Sequence, residues 1–345
     1  MPAPGRSLKV DLHTHILPGA WPDLRKKYGY GGFLRLEPCD GDTARLFIDE
    51  RFFREIDSRC WDPFRRLADC ETHGVDLQVL STVPVMFSYW ARPEDTLDLA
   101  RLLNDGIAAV VREHPGRFVG LGTLPMQAPD LAVGELERCM SDLGMAGVQI
   151  GSHVNEWNLD RPEIFTVLEA AQDLGAAVFV HPWDMMGGAR LNRYMLAWLV
   201  GMPAETSLAI CSLLFSGALE RLPRLKLAFA HGGGAFPATL GRIQQGFDGR
   251  PDLCAADCST RPRDFMGRFY LDTLVHDPAV LRLLIDLVGA ERLALGSDYP
   301  FPLGEARPGA LIESLEEITP ETRLKLLGGT ALEFLGLEDH DVTAG

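Results

Sequence analysis

The stretch KVDLHTHI, residues 9–16, determines the fold and carries the first candidate site residues. Its apolar and β-branched residues predict a strand that is buried on both faces, as parallel strands covered by helices are. Residues two apart on a strand point the same way, so His13 and His15 project to one side. Two neighbouring imidazoles at an apolar strand end indicate a metal site, with a hydrogen-bonded pair of core histidines as the alternative.

Seven more short apolar runs follow, and each precedes a longer stretch with apolar residues at helical spacing. The runs are residues 77–83 (LQVLSTV), 118–124 (FVGLGTL), 147–150 (GVQI), 177–180 (AVFV), 227–230 (LAFA), 269–274 (FYLDTL) and 293–296 (LALG). The clearest helix predictions are residues 93–114, 130–143, 162–174, 278–288 and 320–335, each opening at or directly after a proline. Eight strand-then-helix units predict an α/β protein, a closed (β/α)8 TIM barrel, with one domain over residues 1–345.

One segment, residues 21–60, interrupts this alternation directly after the first strand. It has mixed polarity, several glycines and no clear helical pattern. Loops that follow barrel strands lie at the C-terminal face, where these barrels carry their sites. We therefore expect a small β-rich insertion that covers this face as a flap.

The overall charge excludes some classes of partner. The 345-residue chain has 33 basic and 48 acidic side chains, a formal charge of −15. Nucleic acids and anionic membranes need basic patches, so neither is an expected partner. Seven cysteines without a CxxC pair, and an N-terminus without an apolar signal segment, predict a cytoplasmic protein. The longest apolar stretch, around residues 195–204, is expected to be too short to span a membrane.

Polar residues follow three other predicted strands. His181 follows AVFV, His231 follows LAFA, and Asp298 comes shortly after LALG. In a (β/α)8 barrel these strand ends meet at one mouth, together with His13 and His15. Three imidazoles and one carboxylate form a ligand set suited to Zn²⁺ with an open position for water. From spacing alone, five candidates compete for four ligand positions.

These strand-end residues, in their sequence contexts, resemble the amidohydrolase superfamily. The first strand carries HxH, the fifth and sixth strands end in histidine, and an aspartate follows the eighth. The fourth strand lacks the lysine that two-metal members usually carry, which implies a one-metal site. The longer phrases that carry the resemblance are DLHTHILP (11–18), STVPVMFSYW (81–90), GLGTLPMQAP (120–129), GVQIGSHVNEW (147–157), HPWDMMGG (181–188), WLVGMPAET (198–206), FAHGGGAFP (229–237) and GSDYPFPLGE (296–305).

The resemblance implies a role for each candidate. It implies one zinc ion per chain with four protein ligands: His13, His15, His181 and Asp298. His231 would lie beside the metal as the catalytic acid and base, and Asp298 would also hold a water or His231 in place. Four residues would bind substrate: Arg54 in the insertion, Arg242 in the GRI after His231, Trp198 and Phe301. A homodimer is implied as well, in which Arg242 reaches the neighbouring active site. The roles of His153 and His276 stay open.

Within the superfamily, the resemblance is to decarboxylases that need neither O₂ nor an organic cofactor. It implies that a small dicarboxylate semialdehyde, 2-amino-3-carboxymuconate 6-semialdehyde, loses CO₂ to give 2-aminomuconate 6-semialdehyde. This reaction belongs to tryptophan catabolism and limits quinolinate formation. Two alternatives are decarboxylation of an aromatic acid, such as γ-resorcylate or 5-carboxyvanillate, and metal-dependent hydrolysis. A third alternative is a metal-binding protein without catalytic activity. Five residues at the barrel rim argue against it, because each of them fits a catalytic role.

Overall fold

Eight parallel strands form the central sheet, in the order in which they occur along the chain. In this computed structural model, which describes residues 7–39 and 42–343, they are β1 (Val10–Ile16), β5 (Leu77–Thr82), β6 (Phe118–Gly122), β7 (Gly147–Gly151), β8 (Ala177–His181), β9 (Lys226–Phe229), β10 (Tyr270–Asp272) and β11 (Leu293–Ala294). All eight strand predictions are confirmed, with ends that differ by at most two residues. The predicted domain span of 1–345 includes residues 1–6, 40–41 and 344–345, which lie outside the described residues.

The barrel closes between β1 and the segment that follows β11. The Leu12 amide donates to the Leu295 carbonyl, and the Asp298 amide donates to the His13 carbonyl, each at 2.8 Å. These bonds extend the pairing beyond the two residues of β11 and place Asp298 beside β1. The closed barrel with helices outside confirms the predicted (β/α)8 fold.

Helices cover the outside of the barrel, except for the first, which belongs to the insertion after β1. They are α1 (Leu24–Tyr28), α2 (Pro63–His73), α3 (Pro93–Glu113), α4 (Pro129–Ser141), α5 (Pro162–Asp173), α6 (Met202–Phe215), α7 (Ala218–Arg221), α8 (Phe236–Gly249), α9 (Pro251–Cys254), α10 (Pro278–Val288), α11 (Ala310–Glu313), α12 (Pro320–Leu324), α13 (Thr330–Leu335) and α14 (Asp339–Thr343). Many begin at a proline, whose missing N–H is not needed in the first helical turn. The helix predicted over 320–335 is present as α12 and α13, joined by the π-helical turn Lys325–Gly329.

Buried apolar side chains from most of the barrel strands form one cluster of the core, and a larger cluster lies between strands and helices. Phe179 on β8 is fully buried, and its ring centroid lies 5.0 Å from that of His13. The polar residues at the strand ends therefore pack against buried apolar side chains. Exclusion of water there strengthens electrostatic interactions among them.

The insertion forms a separate antiparallel sheet between β1 and α2. Its strands, in the order β2-β3-β4, are β2 (Leu34–Pro38), β3 (Thr43–Ile48) and β4 (Arg51–Asp57). The short helix α1 precedes them and was not predicted; residues 40–41 of the predicted 21–60 insertion lie outside the described residues. Buried Leu46 and Ile56 cluster with Leu17 and Val83, which follow β1 and β5. The small sheet thus lies at the C-terminal end of the barrel strands.

The helical segment Ala197–Phe215 corrects the expectation about apolar stretches. A π-helical turn, Ala197–Gly201, joins the apolar residues predicted as a short stretch to α6. The resulting 19-residue helix is long and apolar enough to cross a membrane by length and composition alone. Core helices of soluble proteins can have the same length and composition. Ile210 and Leu213 of this helix are buried in the larger apolar cluster.

Candidate metal centre

The four predicted metal ligands meet at the C-terminal mouth of the barrel. His13 and His15 lie on β1, His181 ends β8, and Asp298 follows β11. One candidate ligand atom from each of them lies within 4.8 Å of the others. His15 Nε2 is 3.2 Å from His13 Nε2 and 3.1 Å from Asp298 Oδ1. His231, the fifth candidate from sequence spacing, is not part of this group of four, which we call the ligand group.

Acceptor oxygens orient all three imidazoles of the ligand group in the same sense. The Nδ1 atoms of His15 and His181 lie 3.1 and 2.8 Å from backbone carbonyl oxygens, and His13 Nδ1 lies 2.7 Å from Asp272 Oδ2. Carbonyl and carboxylate oxygens accept, so each Nδ1 donates, and in the neutral imidazole each Nε2 then presents a lone pair. Among the described residues, the buried Nε2 of His181 has no hydrogen-bond partner. Three such nitrogens facing a carboxylate oxygen fit a divalent metal ion.

The protonation states of the ligand group also suit a cation. Burial raises the pKa of Asp298, but the His15 hydrogen bond and the nearby His13 outweigh burial and hold this pKa well below its usual range. Burial lowers the pKa of His15 more than Asp298 raises it, and burial with the neighbouring imidazoles lowers that of His181 further. For His13, burial is outweighed by the Asp272 hydrogen bond and by Asp298, so its pKa is raised. A metal ion bound by the ligand group would displace the extra proton of a protonated His13, because ligation needs neutral imidazole.

His231 stands beside the ligand group. Its ring centroid lies 5.0 Å from that of His181 and 5.2 Å from that of His13. Burial, followed by the effect of His13, lowers the pKa of His231 to about 4, so its imidazole is neutral at neutral pH. Its Nδ1 is buried and has no hydrogen-bond partner within the described chain. A neutral imidazole with an unused nitrogen in this position can exchange a proton with a group held at the ligand group.

Asp272 is a site residue that sequence reasoning missed. This fully buried residue ends β10, and its Oδ2 accepts from His13 Nδ1 at 2.7 Å and from the His231 amide at 2.9 Å. Its Oδ1 accepts from the amides of Gly232 and Leu274 at 2.8 and 3.1 Å. The signal was present in FYLDTL, where a carboxylate occupies the end of the seventh predicted strand, at the mouth of the barrel.

A second buried carboxylate, that of Asp11, shapes the turn that carries Asp298. Asp11 Oδ1 accepts from the Ser297 amide at 3.0 Å, and Oδ2 accepts from the Ser297 hydroxyl at 2.5 Å. Burial raises the pKa of Asp11 to about 7, against the opposing effect of the Ser297 hydrogen bond. Asp298 follows with a left-handed φ of 57°. Because few non-glycine residues adopt this conformation without support, the turn depends on these bonds to aim the Asp298 carboxylate.

The Arg54 side chain extends from β4 of the insertion and lies beside three aromatic rings, one of which, that of its neighbour Phe53, has its centroid 5.7 Å from Cζ. The Arg54 Cζ lies 4.7 Å from the ring centroid of Phe301 and 5.7 Å from that of Trp198. The Phe301 ring centroid lies 5.6 Å from that of His15, so the Phe301 ring lies between Arg54 and the ligand group. Burial lowers the pKa of Arg54 more than Asp298 raises it. Within the part of the chain that the structure describes, no hydrogen bond or ion pair engages its guanidinium. Three predicted substrate-binding residues thus lie together.

Arg242 lies apart from the other predicted substrate-binding residues. It belongs to α8, whose buried face includes Leu240, Gln244 and Phe247. Arg242 lies two positions from Leu240 and two from Gln244, which places it on the opposite side of the helix, and it is exposed there. Over residues 7–39 and 42–343, no hydrogen bond or ion pair joins it to another side chain. Its contact with substrate stays a prediction about a neighbouring chain.

The two histidines whose roles were open lie outside the ligand group. The ring nitrogens of His153 lie 2.8 Å from the Asn155 carbonyl and 3.1 Å from the Trp183 carbonyl, and its ring stacks on Trp183. His153 therefore connects the loops after β7 and β8. His276 is exposed after β10.

Comparison with known proteins agrees with this fold. A family model described as amidohydrolase matches residues 10–337. The chain is 58% identical over 335 residues to the 2-amino-3-carboxymuconate-6-semialdehyde decarboxylase of Dictyostelium discoideum, covering 97% of this chain and 93% of that protein. It is 39% identical over 388 residues to the Caenorhabditis elegans protein of the same name, covering 98% and 96%. A solved dihydroxybenzoic acid decarboxylase from Polaromonas sp., with bound manganese and 2-nitroresorcinol, is similar in fold, with a TM-score of 0.78 at 24% identity over 98% of this chain and 99% of that chain. This chain therefore belongs to the amidohydrolase family.

Proposed function

We propose that this chain is a metal-dependent decarboxylase that converts 2-amino-3-carboxymuconate 6-semialdehyde to 2-aminomuconate 6-semialdehyde. The observation that carries the proposal is that an unpaired guanidinium lies close to the ligand group. Arg54 stacks on Phe301, and the Phe301 ring lies beside His15. The substrate has two carboxylates, and the planar fork of arginine binds one while the other lies at the ligand group. The 58% identity to the Dictyostelium decarboxylase supports this substrate.

One zinc ion per chain is the proposed cofactor, held by the ligand group of His13, His15, His181 and Asp298. Three nitrogens and one carboxylate oxygen suit Zn²⁺. The strand β7, with sequence GVQIG, contains no lysine to bridge a second ion, and its Gln149 is hydrogen-bonded to Ser81 and to the Thr82 carbonyl. When bound, the metal supplies Lewis-acid chemistry and lowers the pKa of a coordinated water towards about 7.

His231 is the proposed acid and base. Loss of CO₂ from a vinylic carbon leaves charge with nowhere to go unless that carbon is protonated, so the site needs a proton donor next to the substrate. The neutral His231 imidazole would take a proton from water in the site and deliver it to the carbon that carries the departing carboxylate, so that a C–H bond replaces the bond to CO₂. The hydroxide left by the water would regain a proton from solvent. Asp298, ionised and an acceptor only, would hold a water or His231 in place.

A homodimer in which Arg242 reaches the neighbouring active site is part of the proposal. The exposed side of α8 carries Arg242. Apolar side chains are also exposed around Trp198: Tyr194, Met195, Leu199 and Val200 are 72%, 48%, 52% and 54% exposed. Apolar surface of this kind marks an interaction site. A second copy seated there would cover it and add a wall to the pocket beside Trp198.

We also propose that the chain acts in the cytoplasm as a single (β/α)8 domain, with residues 21–60 as a flap over the site. Seven free cysteines suit a reducing compartment. The approach of Arg54 on β4 to Phe301 supports the flap, since it brings the insertion to the ligand group. Sequestering the substrate under a flap would exclude water during the reaction.

The test uses the purified, zinc-loaded full-length chain and enzymatically prepared semialdehyde without O₂. We expect loss of the semialdehyde absorbance with release of one CO₂ per substrate. Parallel reactions contain γ-resorcylate, 5-carboxyvanillate and a lactone. Release of CO₂ from an aromatic acid with the semialdehyde untouched would contradict the proposed substrate. Acid released from the lactone without CO₂ from any substrate would identify a hydrolase instead.

A further inference from the structure

The carboxylate of Asp272 joins two parts of the site that have separate roles in the proposed function. Its Oδ2 accepts from Nδ1 of the metal-ligand candidate His13 at 2.7 Å. The same oxygen accepts from the backbone amide of His231, the proposed acid and base, at 2.9 Å. A single oxygen atom thus fixes an imidazole on β1 and the chain after β9.

The other oxygen of Asp272 completes this network. Oδ1 accepts from the amides of Gly232 and Leu274 at 2.8 and 3.1 Å. A carboxylate has about four accepting positions, and four donors occupy them here. The carboxylate has no capacity left for a substrate group, so its role is to position other residues.

The backbone at His231 needs such support. His231 and Gly232 both have left-handed φ values, 57° and 59°. Glycine is required at the second position, because a Cβ there would lie 2.3 Å from Val275 Cγ1. At His231 the conformation is strained and persists only where the surroundings determine it. The amides of His231 and Gly232 donate to the two oxygens of Asp272, and these bonds hold the backbone in this conformation.

We propose that Asp272 sets the position of the His231 imidazole relative to the metal, by binding a ligand side chain and the His231 backbone through one carboxylate. This inference deepens the proposed function and rests on its assignment of His13 and His231. Any displacement of the His13 ring would be transmitted to the turn that carries His231. In Asp272→Asn, the amide NH₂ faces two N–H donors in either orientation, so two of the four hydrogen bonds are lost.

The first experiment measures metal binding by the full-length Asp272→Asn chain, through competition with a chromogenic chelator. We expect the zinc dissociation constant to rise roughly 10- to 100-fold, the usual effect of losing the partner of a ligand histidine. With Co²⁺ as the probe, the visible absorption bands should shift, because the His13 ring is no longer fixed. In steady-state assays at saturating metal, kcat should fall by at least about tenfold while KM changes little, since only proton transfer is displaced.

The matched control is Asp277→Asn on the following loop. Its side chain accepts from the amides of Ala279 and Val280 at the start of α10 and does not touch the ligand group. This variant should keep the zinc affinity, cobalt spectrum and kcat of the wild type. A folded Asp272→Asn chain with all three properties unchanged would overturn the inference.

A second measurement on the wild-type chain decides the question if Asp272→Asn does not fold. In protein with ¹⁵N-labelled histidine, His13 should show a protonated Nδ1 whose proton resonance lies far downfield, assigned by its loss in His13→Gln. Absence of this proton would overturn the inference. Neither the binding nor the NMR experiment uses substrate, so a chain that shows both results yet leaves the semialdehyde untouched would contradict the proposed function alone.

Discussion

Replacing Arg54 with methionine should weaken substrate binding and leave the chemical step almost intact. The guanidinium has no protein hydrogen-bond partner among the described residues, and its flanking rings, Phe301 and Trp198, lie 4.7 and 5.7 Å away. Methionine retains much of the apolar stem that packs between them. The substitution therefore removes the proposed carboxylate-binding fork and preserves the packing against the two rings.

The magnitude follows from two parallel N–H···O bonds between arginine and a carboxylate. A hydrogen bond to a charged group contributes about 1.5–3 kcal/mol, and the lower value for both bonds gives about 3 kcal/mol, or roughly 150-fold in kcat/KM. The fork binds the carboxylate that does not react, so ground state and transition state lose equally and the change appears in KM. Arg54→Lys keeps the charge but loses the bidentate geometry, and we expect about a tenfold change.

Initial rates of semialdehyde loss over a range of concentrations measure both kinetic constants, with metal content determined in the same samples. Arg51→Met, at an exposed arginine on the same strand, is the matched control and should behave as the wild type. An Arg54→Met variant that kept its metal and a kcat/KM within about twofold of the wild type would refute the reasoning, because a bound carboxylate cannot lose two charged bonds without effect. A fall in kcat at unchanged KM would place Arg54 at the reacting centre instead.

Three further predictions concern the metal, the acid/base residue and the assembly. The purified chain should hold about one zinc ion, lose activity on chelation and regain it with Zn²⁺ or Co²⁺; two ions per active chain would contradict the single-metal site. His231→Ala should keep its metal and lose activity by roughly 10²–10⁴, whereas His13→Ala should lose both; a metal-free His231→Ala chain would mean that His231 is itself a ligand. Mixing His231→Ala with Arg242→Ala should restore up to about a quarter of wild-type activity, since half of randomly formed dimers are mixed and each has one intact site. No recovery despite demonstrated subunit exchange would show that Arg242 does not serve a neighbouring chain.

The barrel was predictable because its signals are local. Each strand is a short apolar run buried on both faces, and proline marks the start of many of the helices. The same kind of signal gave five candidates for the ligand group, and only the family resemblance set His231 apart from the other four. His13 and His15 are two apart on one strand, and His181 ends another. Their convergence then follows from the geometry of a closed parallel barrel, in which all strands end at one face.

The sequence did not predict the role of Asp272 or the length of the helix Ala197–Phe215. Asp272 lies at a strand end as His181 does, but its role comes from an imidazole 259 residues earlier. The length of the helix Ala197–Phe215 depends on a π-helical turn that continues an apolar stretch across Gly201. The strand-end position of Asp272 was visible in the sequence, but neither its hydrogen-bond partners nor the π-helical turn leaves a local pattern.

Closure of the barrel and assembly of the ligand group depend on the same contacts. Asp11 and Ser297 are 286 residues apart, yet their hydrogen bonds form the turn before Asp298, whose amide in turn donates to the His13 carbonyl at 2.8 Å. A ligand from the first strand and one from beyond the last can meet only in the closed barrel, so metal binding favours that state over any open one. Buried carboxylates are unfavourable unless donors surround them. Ser297 donates to Asp11, and His13 donates to Asp272, only when the barrel is closed. His231 takes its position from the Asp272 network. The position of the proposed acid and base relative to the metal ligands therefore depends on one contact, His13 to Asp272, that forms only when the barrel closes.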